Sequence, residues 1–312
     1  MRPMISFVSF TLGLVLSLSM HSVRAAEHYY KGPKACEECH ESEVGVWKKT
    51  RHAKSYKKFH KSKEAKRLSK VLRGKSPKKN PVCTKCHYTM VTKKVGKKPR
   101  ARAGTSCESC HGAASEWLDI HKDFGAYKEN NEPPKHRAKR LAAARKAGMI
   151  YSSMHFEIAE NCMSCHGLAR PDIDASKLAK LLENKHPVKR EFELVRYSQG
   201  SVRHRFYKPD VSQNKKMTQV EMARLYVTGQ AAKLVSASAA VKRAKDAAYR
   251  NLQVDRVESA RKALGAVRGI PAVAALLASP SRQAALTLVA AIRGKDLSGQ
   301  VGSALPSKGT FK

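Results

Sequence analysis

Eight cysteines and four histidines form one repeated pattern in this chain of 312 residues. All eight cysteines are paired as C-x-x-C, and a histidine directly follows the second cysteine of each pair. Cysteines with this spacing form redox thiols, metal ligands or thioether anchors, and the histidine decides among these. The four copies are CEECH at 36–40, CTKCH at 83–87, CESCH at 107–111 and CMSCH at 162–166.

Covalent attachment of haem explains all three residues of each motif. Disulfides within the pairs would each close a very small loop, and zinc bound by thiolates would leave the four histidines unexplained. In haem attachment the two thiols form thioethers with the vinyl groups, and the adjacent histidine ligates the iron. The sequence therefore predicts four covalently bound haem c groups. The predicted attachment residues are Cys36, Cys39, Cys83, Cys86, Cys107, Cys110, Cys162 and Cys165, and the proximal ligands are His40, His87, His111 and His166.

A second histidine can ligate each iron from the other side. Residues 38–60 have helical periodicity, so His52 would lie ~18 Å from His40 along one helix. Two nitrogens bound to one iron are only about 4 Å apart, so we expect His52 to ligate a different haem. The same argument applies to His121, which lies ten residues after His111.

Two further histidines are candidate distal ligands. His155 precedes the fourth motif and is placed to ligate a haem, and His204 is a candidate contributed by the C-terminal part. The other histidines of the mature chain lie among Lys and Arg residues or near Pro, and we predict that they are surface groups. They are His28, His60, His136 and His186.

The motifs and their flanking residues resemble the tetrahaem cytochrome c-554 family over roughly residues 30–170, in the runs ACEECHESEVGVWKKTRHAKSY, GTSCESCHGAASEWLDIH and HFEIAENCMSCH. The resemblance implies a mainly helical fold with haems stacked in pairs, and a role in electron transfer. It also implies distal ligation by His52, His121 and His155, and a five-coordinate second haem at the motif of His87. His204 lies beyond the resemblance and is a candidate for closing that second haem.

The elements that position these residues are predicted to be mainly α-helical. Aromatic residues make up only 6% of the chain, so we expect the haems to form the core. Arg2, a following apolar run and the small residues near Ala25 indicate a signal peptide at 1–25 and a periplasmic location. Residues 26–210 are predicted to form the tetrahaem domain, 211–294 a C-terminal helical extension, and 295–312 a disordered tail.

The charge of the chain indicates its kind of partner. A formal net charge of +36, from 61 basic and 25 acidic residues, attracts anionic surfaces. Export and the absence of a recognition motif argue against nucleic acid. We therefore expect redox protein partners with an acidic docking surface, with peripheral contact to an anionic membrane as the alternative, and leave the oligomeric state open. Basic loops at 65–80 and 93–103 flank the second motif and are the candidate docking surface.

Three functions are compatible with these residues. The leading prediction is a periplasmic electron carrier between a dehydrogenase or oxidoreductase and a downstream acceptor. The second is an enzyme that reduces nitric oxide, nitrite, hydroxylamine or a sulfur species at one five-coordinate haem. The third is a haem subunit that docks into a larger respiratory complex through the C-terminal helices.

Overall fold

The computed structural model describes residues 28–188 and 190–312. The predicted signal peptide lies outside the described residues. Within them the chain is mainly helical, as the sequence predicts, with one two-stranded sheet. None of the helices in this described part is long and apolar enough to span a membrane.

The part of the chain that carries the four motifs folds into short helices, the longest of which has 13 residues. In chain order the helices are α1 Lys34–Glu37, α2 Glu41–Lys49, α3 Arg51–Lys58, α4 Lys63–Val71, α5 Pro81–His87, α6 Cys107–His111, α7 Leu118–His121, α8 Pro134–Lys146, α9 His155–His166, α10 Ala175–Glu183 and α11 Leu194–Ser198.

The helix predicted over residues 38–60 is broken at Thr50. Its ψ angle of 161° is extended, which ends α2, and its side-chain oxygen accepts a hydrogen bond from the amide of Ala53 at 3.1 Å. Thr50 is therefore the N-cap of α3. Threonine is a preferred residue at this position because its side chain accepts a hydrogen bond from a free amide of the first turn. His52 consequently lies on a different helix from the one that starts at His40.

A short hairpin follows the second motif. Strand β1 Thr89–Val91 pairs antiparallel with β2 Arg100–Ala103. The connection between the strands, residues 93–99, is exposed throughout and contains four lysines. The basic segment predicted at 93–103 is thus an exposed loop that continues into strand β2, whose last residue, Ala103, is buried.

The C-terminal part contains the longest helices. They are α12 Gln219–Arg243, α13 Ala247–Gly265, α14 Pro271–Ala278, α15 Arg282–Ala291 and α16 Ser298–Val301.

The largest apolar core joins the C-terminal helices to the helix of the fourth motif. Helix α12 buries thirteen of its residues and packs on both α13 and α9. Phe156 and Met163 of α9 lie in the same cluster as Leu234 of α12 and Leu264 of α13. The C-terminal helices are therefore packed directly on the helix that ends in the fourth motif.

The predicted disordered tail is wrong, because residues 295–312 pack on the rest of the chain. Leu297 and Val301 are each 1% exposed and belong to the main core. The last residue is held by two backbone hydrogen bonds, from Lys312 N to Arg196 O at 2.9 Å and from Ser201 N to Lys312 O at 2.8 Å. Two apolar side chains four residues apart, which cover one face of a short helix, are the signal that the composition obscured.

Candidate haem-binding sites

Each C-x-x-C-H motif lies on or beside a short helix. The second motif forms the end of α5, the third is the whole of α6, and the fourth forms the end of α9. The first begins in α1, and its histidine, His40, is the residue before α2. Residues three and four apart share a helix face, so this conformation puts both thiols and the imidazole of a motif on one side.

The four motif histidines each face a second histidine. The imidazole pairs all have nearly the same separation of ring centres, although their partners come from different parts of the chain. The pairs are His40 with His121 at 6.1 Å, His52 with His166 at 6.0 Å, His87 with His186 at 6.2 Å, and His111 with His204 at 6.3 Å.

This separation fits an iron atom held between two imidazoles. A metal–nitrogen bond of about 2 Å on each side, with each nitrogen roughly 1 Å from its ring centre, places the two centres about 6 Å apart. Packing on the peptide alone is sparse around these sites, since no residue of α1, α3 or α7 is buried. The flat apolar surface of a porphyrin suits such surroundings, so the residues present fit haem.

Hydrogen bonds orient several of the imidazoles. Nδ1 of His111 donates to Ile150 O at 2.7 Å, and Nδ1 of His204 donates to Val202 O at 2.6 Å. A proton held on Nδ1 leaves Nε2 as the nitrogen with a free lone pair, which is the form that ligates a metal. Both members of this pair are therefore preset for ligation.

Glycine after the third motif allows the hydrogen bond of His111. Gly112 has a φ angle of 86°, and a Cβ atom there would lie 2.3 Å from the carbonyl oxygen of Gly148. This close approach brings the segment around Ile150 against the motif. The glycine that follows the third motif is therefore required by its positive φ angle and by the close approach of the Gly148 carbonyl.

Burial keeps the imidazoles neutral. It lowers the pKa of His87 to about 4, and it also lowers the pKa values of His52, His111 and His186. His40 differs, because its hydrogen bond to Glu43 raises its pKa. Metal binding requires the neutral imidazole, so the buried histidines are in the ligating form at neutral pH.

Aromatic rings cover two of the motif histidines. Phe59 stacks on His87 with ring centres 4.0 Å apart, and Phe192 stacks on His166 at 4.3 Å. The stacking restricts rotation of each imidazole about its χ2 angle and shields the site from water.

The thiols of different motifs lie next to one another. Cys36 is within hydrogen-bonding reach of Cys107, so the first motif adjoins the third. Cys86 is in the same relation to Cys165, so the second adjoins the fourth.

The third and fourth motifs are also neighbours. The side-chain amide of Asn161, on α9, donates to Cys110 O at 3.1 Å. Burial of Cys162 beside Cys110 raises the pKa of the Cys162 thiol well above its usual value. The four sites therefore adjoin in the order first, third, fourth, second, which differs from their order in the sequence.

A buried carboxylate joins the first and third motifs. Glu108, inside the CESCH run, is 2% exposed and accepts hydrogen bonds from the amides of Lys31 at 2.9 Å, Gly32 at 2.6 Å and Ala114 at 2.8 Å. Burial raises its pKa, while the three amides oppose that shift. Glu108 occupies one of the two unspecified positions of the C-x-x-C-H motif, so the motif alone did not indicate that its carboxylate accepts these three hydrogen bonds.

The C-terminal helices hold the end of the fourth motif. Three buried side chains of α13 donate hydrogen bonds to backbone carbonyl oxygens in the last turn of α9 or just after it. Tyr249 donates to Leu168 O at 2.7 Å, Gln253 to Gly167 O at 3.0 Å, and Arg256 to Met163 O at 3.4 Å. Tyr249 and Gln253 satisfy carbonyl groups that the helix end leaves unpaired, whereas Met163 O also accepts from Gly167 N at 3.0 Å.

The predicted distal ligands are placed unequally. His52, His121 and His204 each face a motif histidine, and His204 faces the third motif rather than the second. His155 does not: within the described residues it makes no ring contact with a motif histidine, and it lies beside Arg205 and Glu221. The site opposite His87 instead receives His186, so His186 replaces His155 as the fourth candidate.

His186 was missed because no local pattern marks it. It follows the apolar helix α10 in the run ENKHPV, between a lysine and a proline. Only the packing of α10 on the second motif, which is a tertiary contact, identifies it.

Comparisons with known proteins match the motif-bearing part of the chain. The sequence profile of the family described as cytochrome c554 and c-prime matches residues 35–112, which contain the first three motifs. Cytochrome c-554 of Nitrosomonas europaea is 31% identical over 149 residues, which are 46% of this chain and 59% of that protein. The chain thus spans less than two thirds of that relative's length. No solved structure gives a significant match.

Repeated C-x-x-C-H motifs on helices, with a second histidine facing each motif, define a multihaem c-type cytochrome, a class that binds haem c covalently. Within that class the chain is similar to the cytochrome c-554 family, whose profile matches residues 35–112.

Proposed function

We propose that this protein is a tetrahaem cytochrome that carries electrons in the periplasm between an oxidoreductase and a downstream acceptor. The observation that carries the proposal is the contiguity of the four motifs in the order first, third, fourth, second. Haem, when bound, supplies one-electron redox chemistry. The chain supplies the thiols that attach it, the paired histidines that ligate it, and the packing that keeps successive sites adjacent.

The two ends of this series differ in exposure. At the first motif Cys39 is exposed and the His40 side chain is 46% exposed. In the middle of the series Cys110 and Cys162 are enclosed by neighbouring motifs and by α9. At the other end Cys83 is buried, so the first site is the one that a partner reaches most easily, and a carrier needs such an accessible site.

Counting electrons tests the carrier role. The fully reduced protein should deliver four electron equivalents per chain to ferricyanide, in phases that all finish within the same stopped-flow experiment. A group of haems that stays reduced while the others are oxidised would contradict a continuous series. Cell fractionation, with the mature N-terminus expected at Ala26, tests the periplasmic location.

The hairpin loop is the proposed docking surface for an acidic partner. Its residues 93–99 are exposed, and β1 begins two residues after His87, so the loop lies at the second-motif end of the series. Lysines on an exposed loop attract carboxylates at long range, which suits a transient redox encounter.

Charge reversal tests this surface. Lys97→Glu with Lys98→Glu should slow the second-order reaction with ferricyanide several-fold at low salt, and the difference should shrink as salt is added. The matched control is Arg261→Glu with Lys262→Glu on the exposed side of α13, which changes the net charge equally. Equal slowing by both double variants would show that only net charge matters.

A further inference from the structure

The second motif has a complete pair of axial histidines. The resemblance to the family implies that this site is open, yet the ring centre of His186 lies 6.2 Å from that of His87, within the range of the other three pairs. Nδ1 of His186 is buried and has no hydrogen-bond partner. With Nδ1 enclosed by the protein, Nε2 is the ring nitrogen that is left to face His87 and to bind a metal.

The backbone turn before His186 fixes its position. Lys185 has a φ angle of 59°, and the amide of His186 donates to Leu181 O at 2.9 Å, which closes the end of α10. Arg67, on α4, donates to Asn184 O at 2.5 Å and ties this turn to the neighbouring helix. The turn is therefore set by local geometry and by a tertiary contact.

Apolar packing holds the same turn against the second motif. Leu178 and Leu181 of α10 share a buried cluster with Leu68 of α4 and with Val82. Val82 belongs to α5, the helix that ends in His87, and Cys86 packs on the same cluster. The helix before His186 and the helix of the motif thus form one packed unit, so the two imidazoles cannot move apart independently.

Other histidines do not match this placement. Nδ1 of His60 is also buried without a partner, and Phe59 next to it stacks on His87. However, the Phe59 ring rather than the His60 ring meets His87, and in the described residues no ring contact joins His60 to a motif histidine. His155 lies beside Arg205 and Glu221 instead.

We propose that His186 is the second axial ligand of the iron attached at Cys83 and Cys86, which makes all four sites of this chain bis-histidine. The inference rests on the proposed tetrahaem function. It deepens that function, because a saturated second site passes electrons and does not bind small ligands. It also sets this chain apart from the five-coordinate second site that its family resemblance implies.

Spectroscopy of the purified holoprotein tests the ligand. The oxidised wild type should give only low-spin signals by electron paramagnetic resonance, and its reduced form should not bind carbon monoxide. His186→Ala should convert one of the four haems to high spin, and that haem should bind carbon monoxide. Added imidazole should restore the low-spin signal, and an unchanged far-UV circular dichroism spectrum should show that the fold is retained.

Matched variants distinguish the alternatives. His60→Ala and His155→Ala should leave all haems low spin. His186→Met should keep a ligand and raise the midpoint potential of one haem, since methionine ligation favours the reduced state. High-spin haem in the wild type, or a high-spin haem created by His60→Ala or His155→Ala and not by His186→Ala, would overturn the proposal. Mass spectrometry of each variant reports haem number separately, so a chain with fewer than four haems would refute the tetrahaem function rather than the ligand.

Discussion

Replacing Tyr249 with Phe should destabilise the protein without changing its haem content. Tyr249 of α13 is fully buried against the segment that follows the fourth motif, and its hydroxyl donates to Leu168 O at 2.7 Å. Phe keeps the ring and removes only the donor. The substitution therefore isolates one link between the C-terminal helices and the fourth haem site.

The size of the expected loss in stability depends on which contacts of Tyr249 the Phe side chain keeps. The ring still fills its place in the cluster with Leu178 and Ala240, so no cavity term arises. The carbonyl of Leu168 loses a buried donor, and a buried acceptor left unpaired costs about 1–3 kcal/mol. We therefore expect a loss of about 1–3 kcal/mol in the free energy of unfolding.

Guanidinium denaturation followed by far-UV circular dichroism measures this loss. The control is Tyr127→Phe, whose side chain is 46% exposed and which should change stability by less than about 0.5 kcal/mol. Equal stability of Tyr249→Phe and the wild type would refute the reasoning that α13 stabilises the end of α9 by satisfying its carbonyls. A loss much above the stated range would indicate that the ring moves as well.

Three further changes test other parts of the account. His52→Ala should remove the distal ligand of the haem at His166, so paramagnetic NMR should show the signals of the His166 ring move to high-spin positions. Asn80→Ala should cost about 1–2 kcal/mol in a guanidinium titration, because Asn80 caps the helix of the second motif with a 3.0 Å hydrogen bond. Glu132→Gln should make the stability of the protein depend less on pH in the acid range. The reason is that the hydrogen bond from Arg140 lowers the pKa of Glu132 to about 2, below its unfolded value of 4.5. The ionised carboxylate therefore stabilises the fold above pH 4.5, and this stabilisation is lost as the pH falls through 4.5 towards 2. The melting temperature of the wild type should fall over that interval, while that of Glu132→Gln, already lower at neutral pH, should change less.

The chemistry of the sites was predictable from sequence because it depends on local spacing. Two thiols and an imidazole at i, i+3 and i+4 identify haem attachment without knowledge of the fold. The expectation that His52 serves a different haem from His40 also agrees with the placement, although the single helix assumed for it is interrupted at Thr50. With the helix interrupted, the ring contacts of His52 with His166 and of His40 with His121 carry this placement, rather than the distance along one helix.

The distal ligand of the second motif could not be predicted in this way. His186 reaches His87 because α10 packs on α4 and α5, and contacts between elements about a hundred residues apart leave no periodic signal. The family resemblance implied an open second site, and His204 was the candidate for closing it. His204 instead faces His111 of the third motif.

The ordered C-terminus was hidden by its composition. Small and polar residues dominate 295–312, which is typical of disorder, but Leu297 and Val301 are enough to anchor a four-residue helix in the main core. The donors of α13 that reach the fourth motif were equally invisible, because tyrosine, glutamine and arginine on a helix indicate a polar face unless the fold buries them.

The mass of the mature protein tests the central claim most directly. Intact mass spectrometry, on material from cells that can mature c-type cytochromes, should give the polypeptide mass plus four haem masses, and all four should persist under denaturing conditions because they are attached by thioethers. A mass with fewer than four haems, or haem released on denaturation, would contradict the account.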